Sequence, residues 1–143
     1  MPMQVIESIE ADFEFLDDWE DRYRYVIELG RKLPPLPASD KTDANKVRGC
    51  ASQVWITSAV ESGAGPRTLK FAGESDSHIV QGLIAILLAL VDRLPAREIA
   101  SLDIEGRFAK LGLREHLTPQ RSNGLASMVA RIKADARAAA DAA

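Results

Sequence analysis

The scarcest chemistry-bearing residue in this 143-residue chain is cysteine, of which there is one, Cys50. A single thiol excludes an internal disulfide and any metal site built from cysteines. Histidine is nearly as rare, with only His78 and His116. One cysteine and two histidines could supply three ligands, but none falls at a recognisable ligand spacing, so no metal site is expected. Long apolar runs are missing too. The longest, "GLIAILLALV" at 82–91, is too short to span a bilayer and reads as a buried helix. There is no excess of positive charge: the net charge of −3 argues against nucleic acid and against a polybasic membrane patch. The opening "MPMQVIESIEADF" has no cationic stretch leading into an apolar run, unlike a secretory signal. A lone cysteine without such a signal fits a reducing, cytoplasmic setting.

What is present is ordinary for a globular domain: 46% hydrophobic and 27% charged residues, enough for a core. Apolar spacing predicts a helix over 3–15, with Val5, Ile6, Ile9 and Phe13 on one side. A second helix is expected over about 18–30, with Asp17 as N-cap, Glu20 in the capping-box position and Gly30 as the stop. "LPPLP" must be extended, and "ASDKTDANKVRG" (38–49) reads as a surface loop. "SQVWITSAVE" is rich in β-branched and aromatic residues and predicts a strand. "SGAGP" predicts a turn and "RTLKFAGES" the returning strand, with Leu69 and Phe71 alternating with Lys70. Asp76 or Ser77 can cap a core helix running to about Arg93. Pro95 opens a short helix, "EGRFAKLGL" another closed by Gly112, and Thr118 with Pro119 begins a last helix. Its face carries Leu125, Met128, Val129 and Ile132, and its end, "RAAADAA", is expected to fray. These elements predict one α+β domain over 1–143: helices on one face of a small antiparallel sheet. The sheet has about three strands if "LPPLPASDK" contributes an edge.

Free cysteines are commonly small buried hydrophobes. Cys50 instead follows a polar loop and a glycine, in "KVRGCASQVW". Lys46 and Arg48 are close in sequence, and positive charge favours the thiolate, the reactive form. Gly49 gives the backbone freedom to swing. Neither His78 nor His116 is linked to Cys50 by any spacing, and both read as surface or cap histidines. The carboxylates crowded into residues 7–21 read as a solvated face. Arg121, in "HLTPQRSNG" at the entry to the last helix, reads from pattern as solvated. A guanidinium there could also face a carboxylate or a sulfur group brought by a partner.

Four blocks carry a resemblance: "RYRYVIELGRKLPPLP", "NKVRGCASQVWI", "GESDSHIVQGLIAILLAL" and "LGLREHLTPQRSNGLASMVARI". In this order, over roughly 22–133, they resemble the SufE family of sulfur acceptors, including its CsdE branch. Gln120 stands where that family more often has serine. The resemblance implies a SufE/IscU-like α+β fold and a cysteine loop that tucks its sulfur into an apolar cavity. Burial against Trp55 and its neighbours is expected to shield it. The resemblance also implies that Cys50 accepts persulfide sulfur from a SufS- or CsdA-like cysteine desulfurase. The sulfur then passes to the SufBCD iron–sulfur assembly scaffold. The pyridoxal phosphate belongs to the desulfurase, so this chain needs no cofactor of its own and is an accessory protein rather than an enzyme. Arg48 and Arg121 are candidates for steadying the thiolate or a partner carboxylate, and Gly49 for the loop hinge. The alternatives are an iron–sulfur scaffold of the related fold, a CsdE-type carrier for another pathway, and a stand-alone thiol enzyme. A scaffold normally needs about four ligands per cluster, and a thiol enzyme needs a base and an oxyanion site beside the cysteine.

Overall fold

The computed structural model describes residues 6–49, 52–61, 68–92, 94–113 and 117–141. Among them are six helices and two strands, in the order α1 (Ile6–Phe15), α2 (Trp19–Arg31), β1 (Val54–Glu61), β2 (Thr68–Ser75), α3 (His78–Val91), α4 (Ala96–Ser101), α5 (Ile104–Lys110) and α6 (Pro119–Asp141). The fold is α+β, as the sequence predicts.

Helix α3 is the centre. Twelve of its fourteen residues are buried, so it must be covered on all sides. Helix α2, helix α1, strand β2 and helix α6 pack on it. Ser77, not Asp76, caps its start, the hydroxyl accepting from Val80 N–H at 3.4 Å. Helix α2 approaches α3 so closely that both backbones carry glycine at the crossing. A β-carbon on Gly82 would overlap the Val26 carbonyl oxygen, and one on Gly30 would sit 2.7 Å from the Gly82 nitrogen. Gly30 is therefore a contact residue inside α2 rather than its stop; the helix runs on to Arg31 and is capped by Lys32. Its N-cap is Asp18, one residue later than the expected Asp17.

Strands β1 and β2 form an antiparallel hairpin with Val54 opposite Ser75 and Glu61 opposite Thr68. The expected "SGAGP" turn lies outside the described residues. Val54, Ile56, Leu69 and Phe71 are buried, which fits the strand alternation. The sheet has two strands among the described residues. "LPPLPASDK" adds no third one: it holds a short 3-10 turn over 38–40. The free edge of β1 is met instead by residues 45–47. Lys46 bridges Trp55, with Val47 N–H donating to the Val54 carbonyl at 2.8 Å and Ile56 N–H to the Asn45 carbonyl at 2.9 Å.

Helix α6 carries Leu125, Met128, Val129 and Ile132 into the core as expected, and the last two residues of the tail expected to fray, 142–143, lie outside the described residues. The chain is helical to Asp141, with Ala136 and Ala139 buried, and α6 packs against α4. No helix among the described residues is long and apolar enough to cross a membrane.

Candidate functional site

The bridge at 45–47 and the start of β1 close a six-residue loop, 48–53, that contains Cys50. Cys50 itself lies outside the described residues, as does His116. The residues on either side of it define the surroundings. Gly49 has φ +91°, a backbone region L side chains rarely adopt, and lies against helix α6. A β-carbon there would come 2.5 Å from Ser127 Oγ. On the other flank, Gln53 N–H donates to Asp76 Oδ1 at 3.0 Å, and Asp76 N–H returns a bond to the Gln53 carbonyl at 3.3 Å. The loop is thus anchored at both ends: to β1 and α6 before the cysteine, and to the β2–α3 turn after it.

A small cavity of about 20 Å³ opens beside Ser52. Val80 and Leu83 of α3 line it, with Gln120, Arg121, Gly124 and Met128 of α6. Arg121 is placed by the start of α6, where Thr118 Oγ1 accepts from the Arg121 N–H at 3.2 Å. The cavity is therefore lined by apolar side chains together with Arg121, at the N-terminal, positive end of α6. Such surroundings hold a neutral sulfur by packing and favour a thiolate by charge.

The structure brings together some sequence-predicted residues and separates others. Gly49 and Arg121 both sit at the contact between the loop region and α6. Arg48 is exposed and does not line the cavity. Trp55, expected to shield the sulfur, alternates along β1 with the buried Val54 and Ile56, and the sulfur itself lies outside the described residues. Trp55 pairs with Glu74 on the opposite face of the sheet, and the Lys41 ammonium lies 5.6 Å from its ring centroid. Val80, Leu83 and Met128 supply the apolar lining of the cavity beside Ser52. His78 is exposed at the first position of α3 and does not line this cavity.

Three further side chains at this contact escape a reading of the sequence. Ser127 lies under Gly49. Arg131, one turn further along α6, donates to the Ala44 carbonyl at 3.1 Å and from Nε to Asp135 at 3.2 Å. Asp135 in turn accepts from Ser58 Oγ at 3.0 Å. Only the Arg131–Asp135 spacing of four residues is a sequence signal.

Comparison with known proteins defines the class. Residues 7–136 match the family described as SufE, Fe-S metabolism associated domain. The chain is 53% identical over 134 residues to an uncharacterized SufE-like protein of Rhizobium meliloti, covering 94% of this chain and 96% of that one. It is also 53% identical over 135 residues to a SufE-like protein of Rhizobium etli, covering 94% and 91%. The solution structure of a hypothetical protein from Thermus thermophilus shares the fold, with a TM-score of 0.76 and 21% identity over 97% of this chain and all of that one. The chain belongs to the SufE family. Membership places it among the accessory sulfur-transfer proteins of iron–sulfur metabolism, which work with a cysteine desulfurase.

Proposed function

We propose that this protein is a sulfur carrier whose acceptor is Cys50. The Cys50 thiolate attacks the outer sulfur of a persulfide on a SufS- or CsdA-like desulfurase. A new sulfur–sulfur bond forms at Cys50, the old one breaks, and the desulfurase thiolate leaves. One divalent-sulfur linkage replaces another, so no external oxidant or reductant is needed. Removing the sulfur frees the desulfurase for another turnover, which is how the carrier stimulates it. The sulfur then passes to the SufBCD scaffold. Pyridoxal phosphate acts on the desulfurase, and this chain holds no cofactor of its own.

The observation that carries this reading is the combination of family and position. The chain's only cysteine falls in sequence between Gly49, which lies against α6, and Ser52, which lines a cavity with Arg121. An unperturbed thiol is only a few per cent ionised at neutral pH, roughly. With no second thiol in the chain, a Cys50 persulfide cannot collapse into an internal disulfide.

The test is direct. The protein is mixed with a cysteine desulfurase and free cysteine, and the product is read by intact mass and peptide mapping. One added sulfur on Cys50, absent from Cys50→Ser and slower to form in Arg121→Ala, is expected. No added sulfur with either type of desulfurase would sink the proposal, and an iron-bearing coloured protein would point to a scaffold.

A further inference from the structure

Helix α6 does more than border the cavity: it holds the chain segment that leads into Cys50 at two points one turn apart. Ser127 lies under Gly49 at the loop itself. Arg131 holds the loop's root, because Ala44 directly precedes the 45–47 bridge that pairs with β1. The guanidinium is not free to drift. Its Nε faces both Asp135 oxygens at 3.2 Å, and Asp135 is itself held by Ser58 of β1. Arg131 and Asp135 side chains are only 24% and 20% exposed. One planar group thus ties α6, β1 and the approach to the cysteine loop. A lysine could not reproduce it, since a compact ammonium lacks the fork that serves a carboxylate and a carbonyl at once.

We propose that Arg131, oriented by Asp135, is a positioning residue for Cys50. It keeps segment 44–49 seated on α6 and so governs how readily the thiol is presented. The proposal rests on Cys50 being the sulfur acceptor, but it concerns the seating of the loop rather than the sulfur chemistry.

The experiment compares Arg131→Ala and Arg131→Lys with Arg107→Ala. Arg107 makes an ion pair of similar exposure with Glu10, at 3.1 Å, that ties α5 to α1 and does not border the cavity. The readout is the second-order rate of Cys50 alkylation by iodoacetamide in the folded protein, followed by intact mass, beside the melting temperature. Loss of one such hydrogen bond shifts a local opening equilibrium by about fivefold, so Arg131→Ala should be alkylated about fivefold faster. Arg131→Lys should fall between it and the parent. Arg107→Ala should lower the melting temperature to a similar extent and leave the alkylation rate unchanged. An unchanged or slower rate in Arg131→Ala overturns the proposal, and so does an equal acceleration in Arg107→Ala. No desulfurase takes part, so a chain that fails to accept sulfur leaves this result readable on its own.

Discussion

Replacing Gly49 by alanine sets three effects against one another, and the structure gives each a size. At φ +91° an L side chain is strained, which costs about 1–2 kcal/mol. The new β-carbon would also meet Ser127 Oγ at 2.5 Å. That atom ends a short side chain and can rotate away, so the penalty is that of a displaced rotamer, about 0.5–1.5 kcal/mol. Against these, alanine restricts the unfolded chain and returns about 0.4–1 kcal/mol. The costs win, and the net destabilisation should be about 1.8 kcal/mol on these central values.

Ser127→Ala separates the two costs. It removes Oγ and leaves the Ser127 β-carbon, which is 3.5 Å from the position the new methyl group would take and in ordinary contact with it. A double-mutant cycle, Gly49→Ala with Ser127→Ala, measured by urea denaturation, should therefore show a coupling of about 0.5–1.5 kcal/mol. The remaining loss belongs to the backbone. Trp55, which bridges Lys46 beside the loop, provides the fluorescence signal. Complete rescue by Ser127→Ala would refute the backbone strain. Zero coupling would show that the loop does not rest on α6 at Gly49, and would remove half of the basis for assigning α6 its role in seating Cys50.

Two further perturbations test the frame around the site. Lys41 holds the Glu74 carboxyl below its ordinary value by a hydrogen-bonded ion pair at 2.5 Å, helped by the Leu36 N–H and opposed by desolvation. A depressed folded-state value means that this contribution is present above about pH 4.5 and is lost as pH falls through the lowered value. Lys41→Met should therefore be less stable than the parent at pH 7, by up to about 1 kcal/mol, with the gap closing towards pH 3. A melting-temperature gap that persists at pH 3 contradicts this. Gly82→Ala should destabilise by about 1–3 kcal/mol, although alanine is ordinarily the better helix former by about 1 kcal/mol. The reason is that its β-carbon would overlap the fixed Val26 backbone rather than a movable side chain. Urea denaturation showing an equal or more stable Gly82→Ala would mean that the α2 and α3 backbones do not touch at this crossing.

Elements whose signals are local are legible in the sequence. The apolar run of α3, the alternation of Leu69, Lys70 and Phe71, and the Thr118–Pro119 start of α6 need only neighbouring residues to be read. Sequence misleads where a distant element decides. Gly30 resembles a helix stop until α3 is seen pressing on it. The alanine-rich end of α6 lacks large apolar side chains and so looks unable to pack, whereas Ala136 and Ala139 are buried in the fold. Asp17 and Asp18 are chemically equivalent caps, and only the backbone conformation chooses between them. The site divides in the same way. Cys50 and Gly49 stand out as residue types in an unusual setting, whereas Arg121 reads from pattern as solvated. Val80, Leu83 and Met128 look like any core residues, and the bond from Arg131 to Ala44 joins positions 87 residues apart, beyond any sequence periodicity.

The anchoring of the loop also limits how sulfur can move. Residues 48–53 lie between Val47 and Val54, which are joined by a 2.8 Å hydrogen bond. Six residues extend to about 20 Å at most, so a path that leaves and returns to the same bridge reaches only about 10 Å from it. A Cys50 thiol confined to that radius cannot cross a wide gap to a buried active site. Sulfur transfer therefore requires the desulfurase to bring its persulfide to the loop, or to admit the loop and the neighbouring starts of α3 and α6 together. The same limit applies to delivery. If Cys50 is the acceptor, as proposed, donor and acceptor meet it over one surface and bind in turn rather than side by side. If the protein is the carrier proposed, the seating of the loop on α6 matters to it because one atom has to be presented to its partners from one place.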